Sequence, residues 1–190
     1  MLDFLTSREI AELLFWWGGV AMPIVTVIVI LYARAQLTVI ARQAQATLLL
    51  NLVDKWNSEK MHECRIIFDE VEATAKDYIL SKHSGLSDKE FAKKLKEHFS
   101  AIMPELDETE SKKYSAMLQI LSFFELIGEF VKRHYVLLVD IDALFRGPIL
   151  DIGAAYVLHI KDEQQKRAVP PGYYENALFL ISEIEKICPQ

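Results

Sequence analysis

The feature that most constrains the fold is an uncharged apolar segment near the N-terminus, Leu13–Tyr32, which reads LLFWWGGVAMPIVTVIVILY. At a rise of 1.5 Å per residue, a helix of this length spans roughly 30 Å, the thickness of the hydrocarbon core of a bilayer. Trp16 and Trp17 at one end and Tyr32 at the other suit the membrane interface, where aromatic rings are enriched. The segment therefore predicts a transmembrane helix, which we place at residues 13–33.

A cleaved signal peptide is the main alternative, because Ala33-Arg34-Ala35 has the small-x-small form of a cleavage site. The apolar segment is, however, longer than the roughly 7–15 residues of a signal-peptide core. The flank before it carries three acidic residues against Arg8 alone, whereas signal peptides begin with net positive charge. A buried core helix is also disfavoured, because the segment is apolar on every face. We therefore expect a retained helix, and cleavage after Ala35 stays open.

The orientation of the span follows from the basic residues on either side of it. Arg8 is the basic residue on the N-terminal side, whereas Arg34 and Arg42 follow the span. The positive-inside rule then places the C-terminal side in the cytoplasm. Cys64 and Cys188 have no metal or disulfide spacing, which agrees with a reducing compartment. We expect a single-pass protein of the inner (cytoplasmic) membrane with its C-terminal domain in the cytoplasm.

The chain is predicted to contain four regions: an N-terminal flank (1–12), the transmembrane helix (13–33), a helical extension (34–57) and a helical bundle domain (58–190). No proline-, glycine- or serine-rich linker follows the span, so its helix is expected to run on. The apolar residues of the extension fall close to one helical stripe: Leu37, Ile40, Ala41, Ala44, Leu48 and Leu52. The stripe could pair copies of the chain or dock on the domain's own core. We favour docking for Leu48–Trp56 and leave the earlier part open.

Capping and turn signals divide the bundle domain into helices. Ser58 is placed to cap a helix from Glu59 to about Leu80, which His83-Ser84-Gly85 would end. Ser87-Asp88-Lys89-Glu90 has the form of a capping box and predicts the start of a short helix. The acidic stretch Pro104–Glu110 is expected to form a turn.

A long helix from about Ser111 to His134 contains the densest apolar run, so we expect it to be the central helix of the bundle. Gly128 within it suggests a close helix crossing. Local signals place the remaining boundaries: a cap at Asp140 or Asp142, a helix start at Gly147-Pro148, a break at Pro170-Pro171-Gly172 and a last helix over Tyr173–Ile187. The sequence thus predicts an all-α protein, with a transmembrane helix that continues into a cytoplasmic bundle of about six helices.

Charge and motifs argue against several function classes. The formal net charge of −6 is opposite to the basic excess of a nucleic-acid binder. A di-iron bundle requires two Glu-x-x-His pairs, and the sequence has one, Glu59 with His62. Cys64 lies two residues from His62, so the two side chains of this helix point to different faces. We therefore expect no catalytic residue, metal or cofactor, and a protein that is not an enzyme.

Glu125 lies in an otherwise apolar stretch, SFFELIG, with Glu129 one helical turn later. A carboxylate in such a helix must find a partner or become neutral. One interpretation is a general base or polar ligand site, as in a hydrolase that uses both carboxylates in a water-filled pocket. We favour a buried ion pair, with Arg65 as the preferred partner of Glu125.

Four segments occur in an order and spacing that resemble a bacterial family of single-pass helical proteins known only as a domain of unknown function: LLNLVDKWNSEKMHECR, LSFFELIGEFVKRHYV, DIDALFRGPILDI and YYENALFLISE. The resemblance covers roughly Leu48–Glu183. It implies a membrane anchor and a helical cytoplasmic domain, and it implies no activity. By position it singles out six residues as a packed helix junction or ligand pocket: Trp56, Arg65, Phe123, Phe124, Glu125 and Gly128.

These observations lead to one preferred function and one alternative. The preferred function is a membrane-tethered helical interaction or scaffold module that self-associates or binds a protein partner, because an anchor is joined to a helical domain without catalytic motifs. The alternative is a membrane effector or small-ligand sensor in a bacterial defence or stress system.

Overall fold

The computed structural model describes residues 7–83, 85–165 and 172–187, and this part of the chain is helical and contains no strand. The helices are α1 (Ser7–Asn57), α2 (Glu59–Lys82), α3 (Asp88–Thr109), α4 (Ser111–Lys132), α5 (Leu138–Pro148), a π-helical turn (Ile149–Gly153), α6 (Ala154–Gln165) and α7 (Glu175–Ile187). The prediction of an all-α protein is confirmed. Within the described residues, α2 to α7 form the helical bundle.

The chain divides into two compact units, Met1–Thr47 and Leu48–Gln190, which are described separately. The described residues of the first unit, 7–47, all belong to helix α1, and every residue from Phe15 to Ala44 is exposed. Pro23 lies inside this helix without ending it. A long apolar N-terminal helix is therefore present, and no side chain of the described residues covers its Phe15–Ala44 stretch.

Three helices in the described residues are long and apolar enough to cross a membrane, judged by length and composition: Phe15–Asn57, Ser111–Lys132 and Leu138–Gln165. The most apolar window of the first is 0% buried, whereas those of the second and third are 50% and 39% buried. The apolar side chains of the last two helices pack in the core of the bundle, which accounts for their apolar composition.

In the second unit, the end of α1 packs on the bundle. Leu52 and Trp56 are buried, and Leu48, Leu49 and Val53 are partly buried against the core. The prediction that Leu48–Trp56 docks on the domain's own core is therefore confirmed. Trp56 enters the core at the last turn of α1.

Local capping signals set the starts of α2 and α3 as predicted. The Ser58 hydroxyl accepts a hydrogen bond from the backbone N–H of Met61. Ser87 and Glu90 form the full capping box, each side chain bonding the backbone of the other. The predicted break at His83-Ser84-Gly85 is confirmed for its described residues, because α2 ends at Lys82 with His83 as its C-cap and Gly85 has a φ of +80°. Ser84 lies outside the described residues.

The predicted turn at Pro104–Glu110 is wrong, because α3 continues through Pro104 to Thr109. Proline removes one backbone donor, which costs a helix about 3 kcal/mol in isolation. Met103 and Leu106 lie on either side of it and are both buried in the core. Burial of two large side chains, at about 1.5–3 kcal/mol each, is enough to hold the helix through the proline.

Helix α4 is the central helix, as predicted, and it packs against α2, α3 and α7. Its fully buried side chains include Met117, Ile120, Leu121, Phe124 and Ile127. Helix α3 in turn packs against α6. The core thus surrounds α4, and the other helices of the second unit are layered around it.

The predictions around α5 need correction. Leu137 occupies the N-cap position without a side-chain cap bond, so neither Asp140 nor Asp142 caps the helix. Asp142 is instead buried and forms an ion pair with Arg146 one turn later. That guanidinium holds the pKa of the Asp142 carboxyl below its usual value. A buried carboxylate needs a partner, and for Asp142 the Arg146 guanidinium one turn away in the same helix supplies it.

Gly147-Pro148 does not start a separate helix. Pro148 is the last residue of α5, and the π-helical turn follows directly and leads into α6. A π turn changes the hydrogen-bonding partners, so the chain can pass a residue that lacks an N–H without breaking. Ile149 and Gly153 of this turn are buried, which ties it to the core.

The last helix begins at Glu175, two residues later than predicted. Gly172 and Tyr174 before it have positive φ values of 84° and 50°. The predicted break residues Pro170 and Pro171 lie outside the described residues, as does Cys188.

Candidate functional site

The structure distributes the six singled-out residues over two places in the second unit. One aromatic cluster contains Trp56, Phe123 and Phe124, and the Arg65 guanidinium lies over its Trp56 ring. Glu125 and Gly128 lie on α4 at its crossing with α7. Helix α4 contributes to both places, because Phe123 and Phe124 face Trp56 whereas Glu125 and Gly128 face α7.

The aromatic cluster is built by α1, α4 and α5. The Trp56 ring stacks on Phe123 with centroids 5.3 Å apart, and its centroid is 6.1 Å from that of Phe124. Phe145 closes the cluster with its ring edge-on to Trp56 at 6.3 Å and to Phe123 at 5.8 Å. Such pairs each add about 0.5–1.5 kcal/mol beyond the burial of their area. The cluster therefore fixes the end of α1 on the bundle.

Arg65 on α2 places its guanidinium over the Trp56 ring, 4.6 Å from the centroid. The carboxylate of Glu125 is bound elsewhere, to Asn176 and Ala177 of α7. The predicted ion pair between Arg65 and Glu125 is therefore wrong. The physical reason is that the start of α7 offers two N–H donors to Glu125, and the face of Trp56 offers the cation an alternative partner.

Glu125 holds the N-terminal turn of α7 from the neighbouring helix α4. Its Oε1 accepts a hydrogen bond from the Asn176 side-chain amide, and its Oε2 accepts one from the Ala177 backbone N–H, both at 2.7 Å. The first N–H groups of a helix have no partner within the helix, and a negative charge near them is favourable. Glu125 of α4 therefore caps the N-terminus of α7. This role is usually taken by a residue that directly precedes the helix in the sequence.

Glu129, one turn further along α4, joins the same network. Its Oε2 accepts from the Asn176 amide at 3.0 Å, and its Oε1 lies 2.5 Å from the Arg133 guanidinium. The two glutamates thus share Asn176 between them. Both oxygens of Glu125 and both of Glu129 are engaged by protein donors.

Gly128 permits this arrangement. A Cβ built on it would lie 2.0 Å from the Asn176 carbonyl oxygen and 2.5 Å from the Asn176 carbonyl carbon. Both atoms belong to the backbone of α7, so they cannot move as a side chain does. The prediction of a close helix crossing at Gly128 is confirmed, and the partner is the first turn of α7.

An open groove of about 670 Å³ runs beside the aromatic cluster. Trp56, Arg65 and Phe68 are among the residues that line it. Gly147 borders it with no atom within 4 Å of where its Cβ would be, so the groove is unobstructed there. Charged side chains from α2 and the π-helical turn surround it: Asp69, Glu72, Lys76 and Asp151.

Sequence reasoning missed two polar groups, at the buried Tyr156 and the half-buried Asn176. The Tyr156 hydroxyl donates to the Met117 carbonyl oxygen at 3.0 Å, and burial raises the pKa of this phenol far above its usual value. Asn176 was also missed, because it is the second residue of α7 and its amide donates to two carboxylates of another helix. The partner of Tyr156 likewise comes from another helix.

Cys64 is buried beside Gln119, and burial raises the pKa of its thiol. An activated nucleophile requires the opposite shift. Within the described residues, no group of three or more histidine, cysteine, aspartate or glutamate side chains is arranged to hold a metal ion. Comparison with protein-family models, curated proteins and solved structures finds no match for this chain.

Proposed function

We propose that this chain is a single-pass membrane protein whose helical bundle serves as a tethered, self-associating interaction module. The observation that carries the proposal is the uncovered apolar stretch of α1. From Phe15 to Tyr32 every residue is exposed, and none is charged. Removing one large apolar side chain from water is worth about 1.5–3 kcal/mol. Insertion of this stretch into a bilayer would bury its many large apolar side chains in the hydrocarbon core.

The charges beside this stretch support a cytoplasmic bundle. From Leu13 to Val53 the charged residues are Arg34 and Arg42, both on the C-terminal side of the apolar stretch. Arginines next to a span favour the cytoplasmic side. The acidic balance of the whole chain gives no reason to expect a nucleic-acid partner.

The packing of the bundle supports binding in preference to catalysis. Glu125 and Glu129 are the carboxylates that a hydrolase would need, and both are committed to Asn176 and its neighbours. Their chemistry is that of a helix cap, which gives α7 a fixed position against α4. A rigid bundle on a membrane anchor presents a defined surface to a partner.

Membrane fractionation tests the anchor directly. We expect the full chain to stay in the membrane pellet after alkaline carbonate extraction, and a variant lacking Leu13–Tyr32 to move to the soluble fraction with its helical circular dichroism retained. A matched control replaces the segment by a shuffled sequence of the same composition, which should still pellet. Full-length chain in the carbonate supernatant would overturn the proposal, and so would an intact mass that shows cleavage after Ala35.

The second candidate function is a membrane effector or small-ligand sensor, and the groove beside Trp56 and Arg65 favours it. Its volume of about 670 Å³ lies in the range of small-molecule sites, about 300–1,000 Å³. If the bundle senses a ligand there, overexpression should slow growth. That effect should disappear when Leu13–Tyr32 is deleted or when Gly147→Leu fills the groove. Growth equal to that of the empty-vector strain would argue against this function.

A further inference from the structure

The part of α1 that follows the apolar stretch presents exposed apolar side chains, and the farther of them, at Ile40, lies beyond the reach of a bilayer. Leu37 and Ile40 are 66% and 58% exposed. Ile40 lies eight residues beyond Tyr32, or about 12 Å along a helix, whereas the headgroup region adds only about 5–8 Å to the hydrocarbon core. We propose that a second copy of this chain covers the face of α1 that carries these side chains, with the two α1 helices packed in parallel. The inference rests on the proposed membrane anchor and names the surface through which the module self-associates.

The spacing of a left-handed coiled coil places the large apolar side chains of Ile30, Leu37 and Ile40 on one face of α1, together with smaller uncharged residues. Residues alternately three and four positions apart are uncharged without exception from the span into the extension: Gly19, Pro23, Thr26, Ile30, Ala33, Leu37, Ile40, Ala44 and Thr47. We call these residues the α1 seam. The α1 seam covers about four heptads, and beyond Tyr32 its large exposed side chains are Leu37 and Ile40.

The polar groups on α1 are compatible with a buried seam. The Thr26 hydroxyl donates to the Met22 carbonyl oxygen at 2.8 Å, and the Thr47 hydroxyl donates to the Gln43 carbonyl oxygen at 2.9 Å. Hydroxyls bonded to their own helix need no water, so they can be buried between two helices.

The charges on α1 also fit a second, parallel copy. Arg42 lies on the face opposite the seam, at about 160° from its centre on a helical projection at 100° per residue. Arg34 flanks the seam, and in a parallel pair its nearest neighbour across the interface is Val29, which is apolar. Between Leu13 and Val53, parallel pairing therefore brings no two like charges together.

Membrane anchoring favours a second copy of this chain as the partner of the α1 seam. Copies inserted in one membrane share the same orientation and depth, so their seams meet in register without a search. Confinement of this kind raises the effective concentration of the second helix. Within the span, small residues such as Gly19 and Ala33 allow two helices to approach closely.

Cysteine crosslinking in native membranes tests the seam. The background is the full chain with Cys64→Ala and Cys188→Ser, in which single cysteines are placed in the seam (Leu37→Cys or Ile40→Cys) or on the opposite face (Ala35→Cys or Ala46→Cys). We expect oxidation to give a disulfide-linked dimer for the seam positions, and loss of that dimer for the opposite face. Dimers from the opposite face alone, or a crosslinked product whose mass shows a different protein, would overturn the proposal.

The oligomeric state in detergent tests the same seam without introduced cysteines. In mild detergent, light scattering should give a dimer for the parent chain and for Ala46→Glu, and a monomer for Leu37→Glu and Ile40→Glu. A monomeric parent would overturn the seam, while carbonate pelleting of the same preparation would still uphold the anchor. If the chain is found in the soluble fraction, the anchor and the seam both fail.

Discussion

Replacing Gly128 by alanine is expected to lower the free energy of unfolding of the bundle by about 3 kcal/mol or more, at the upper end of the cost of overpacking a core. The new methyl group would lie 2.0 Å from the Asn176 carbonyl oxygen, and real Cβ atoms essentially never come that close to another heavy atom. Because the obstructing atoms are backbone, α7 itself would have to move away from α4. That movement would also pull Ala177 and Asn176 away from Glu125.

The chain offers a matched control for this substitution. Gly147 also lies in a helix, and nothing is within 4 Å of where its Cβ would be. Gly147→Ala should leave stability unchanged or raise it by up to about 1 kcal/mol, the difference in helix propensity. Thermal unfolding of the full chain in detergent, followed by circular dichroism, compares the two variants. A Gly128→Ala protein as stable as Gly147→Ala would mean that the crossing is looser than the structure shows.

The features that the sequence predicted well are those encoded by residues close together in the chain. The caps at Ser58 and Ser87 depend on side chains that bond their own first turn, so their spacing is visible directly. Gly128 was identifiable because a glycine in a densely apolar helix has few reasons to be there besides a close crossing. The exposed apolar stretch of α1 is likewise a local property of composition and length.

The features that the sequence did not predict depend on contacts between distant residues. Pro104 is a strong local signal for a break, and burial of Met103 and Leu106 by other helices overrides it. The partner of Glu125 is 51 residues away, and nothing in the sequence near Glu125 distinguishes Asn176 from Arg65. Six residues were singled out together, yet the structure divides them between the aromatic cluster and the crossing of α4 with α7. Only the packing of the helices decides such pairings.

Removing the Glu125 carboxylate by Glu125→Ala is expected to cost about 2–3 kcal/mol of stability, the value of hydrogen bonds to a charged group together with a favourable charge at a helix N-terminus. The Ala177 N–H would lose its acceptor, and the Asn176 amide would keep only Glu129. Glu125→Gln retains one acceptor oxygen of the right shape, so we expect it to cost roughly half as much. Urea unfolding of the full chain in detergent measures both.

Arg65→Met distinguishes this cap from a buried ion pair. If Arg65 neutralised Glu125, its removal would leave an uncompensated buried charge and cost about 3–5 kcal/mol. In the structure Arg65 lies over Trp56, so its removal should cost about 0.5–1 kcal/mol, the value of a cation–π contact. The double variant should then lose the sum of the two single costs, because the residues do not share a partner. A cost for Arg65→Met equal to that of Glu125→Ala, or a strong coupling between them, would contradict the assignment of Glu125 as the cap of α7.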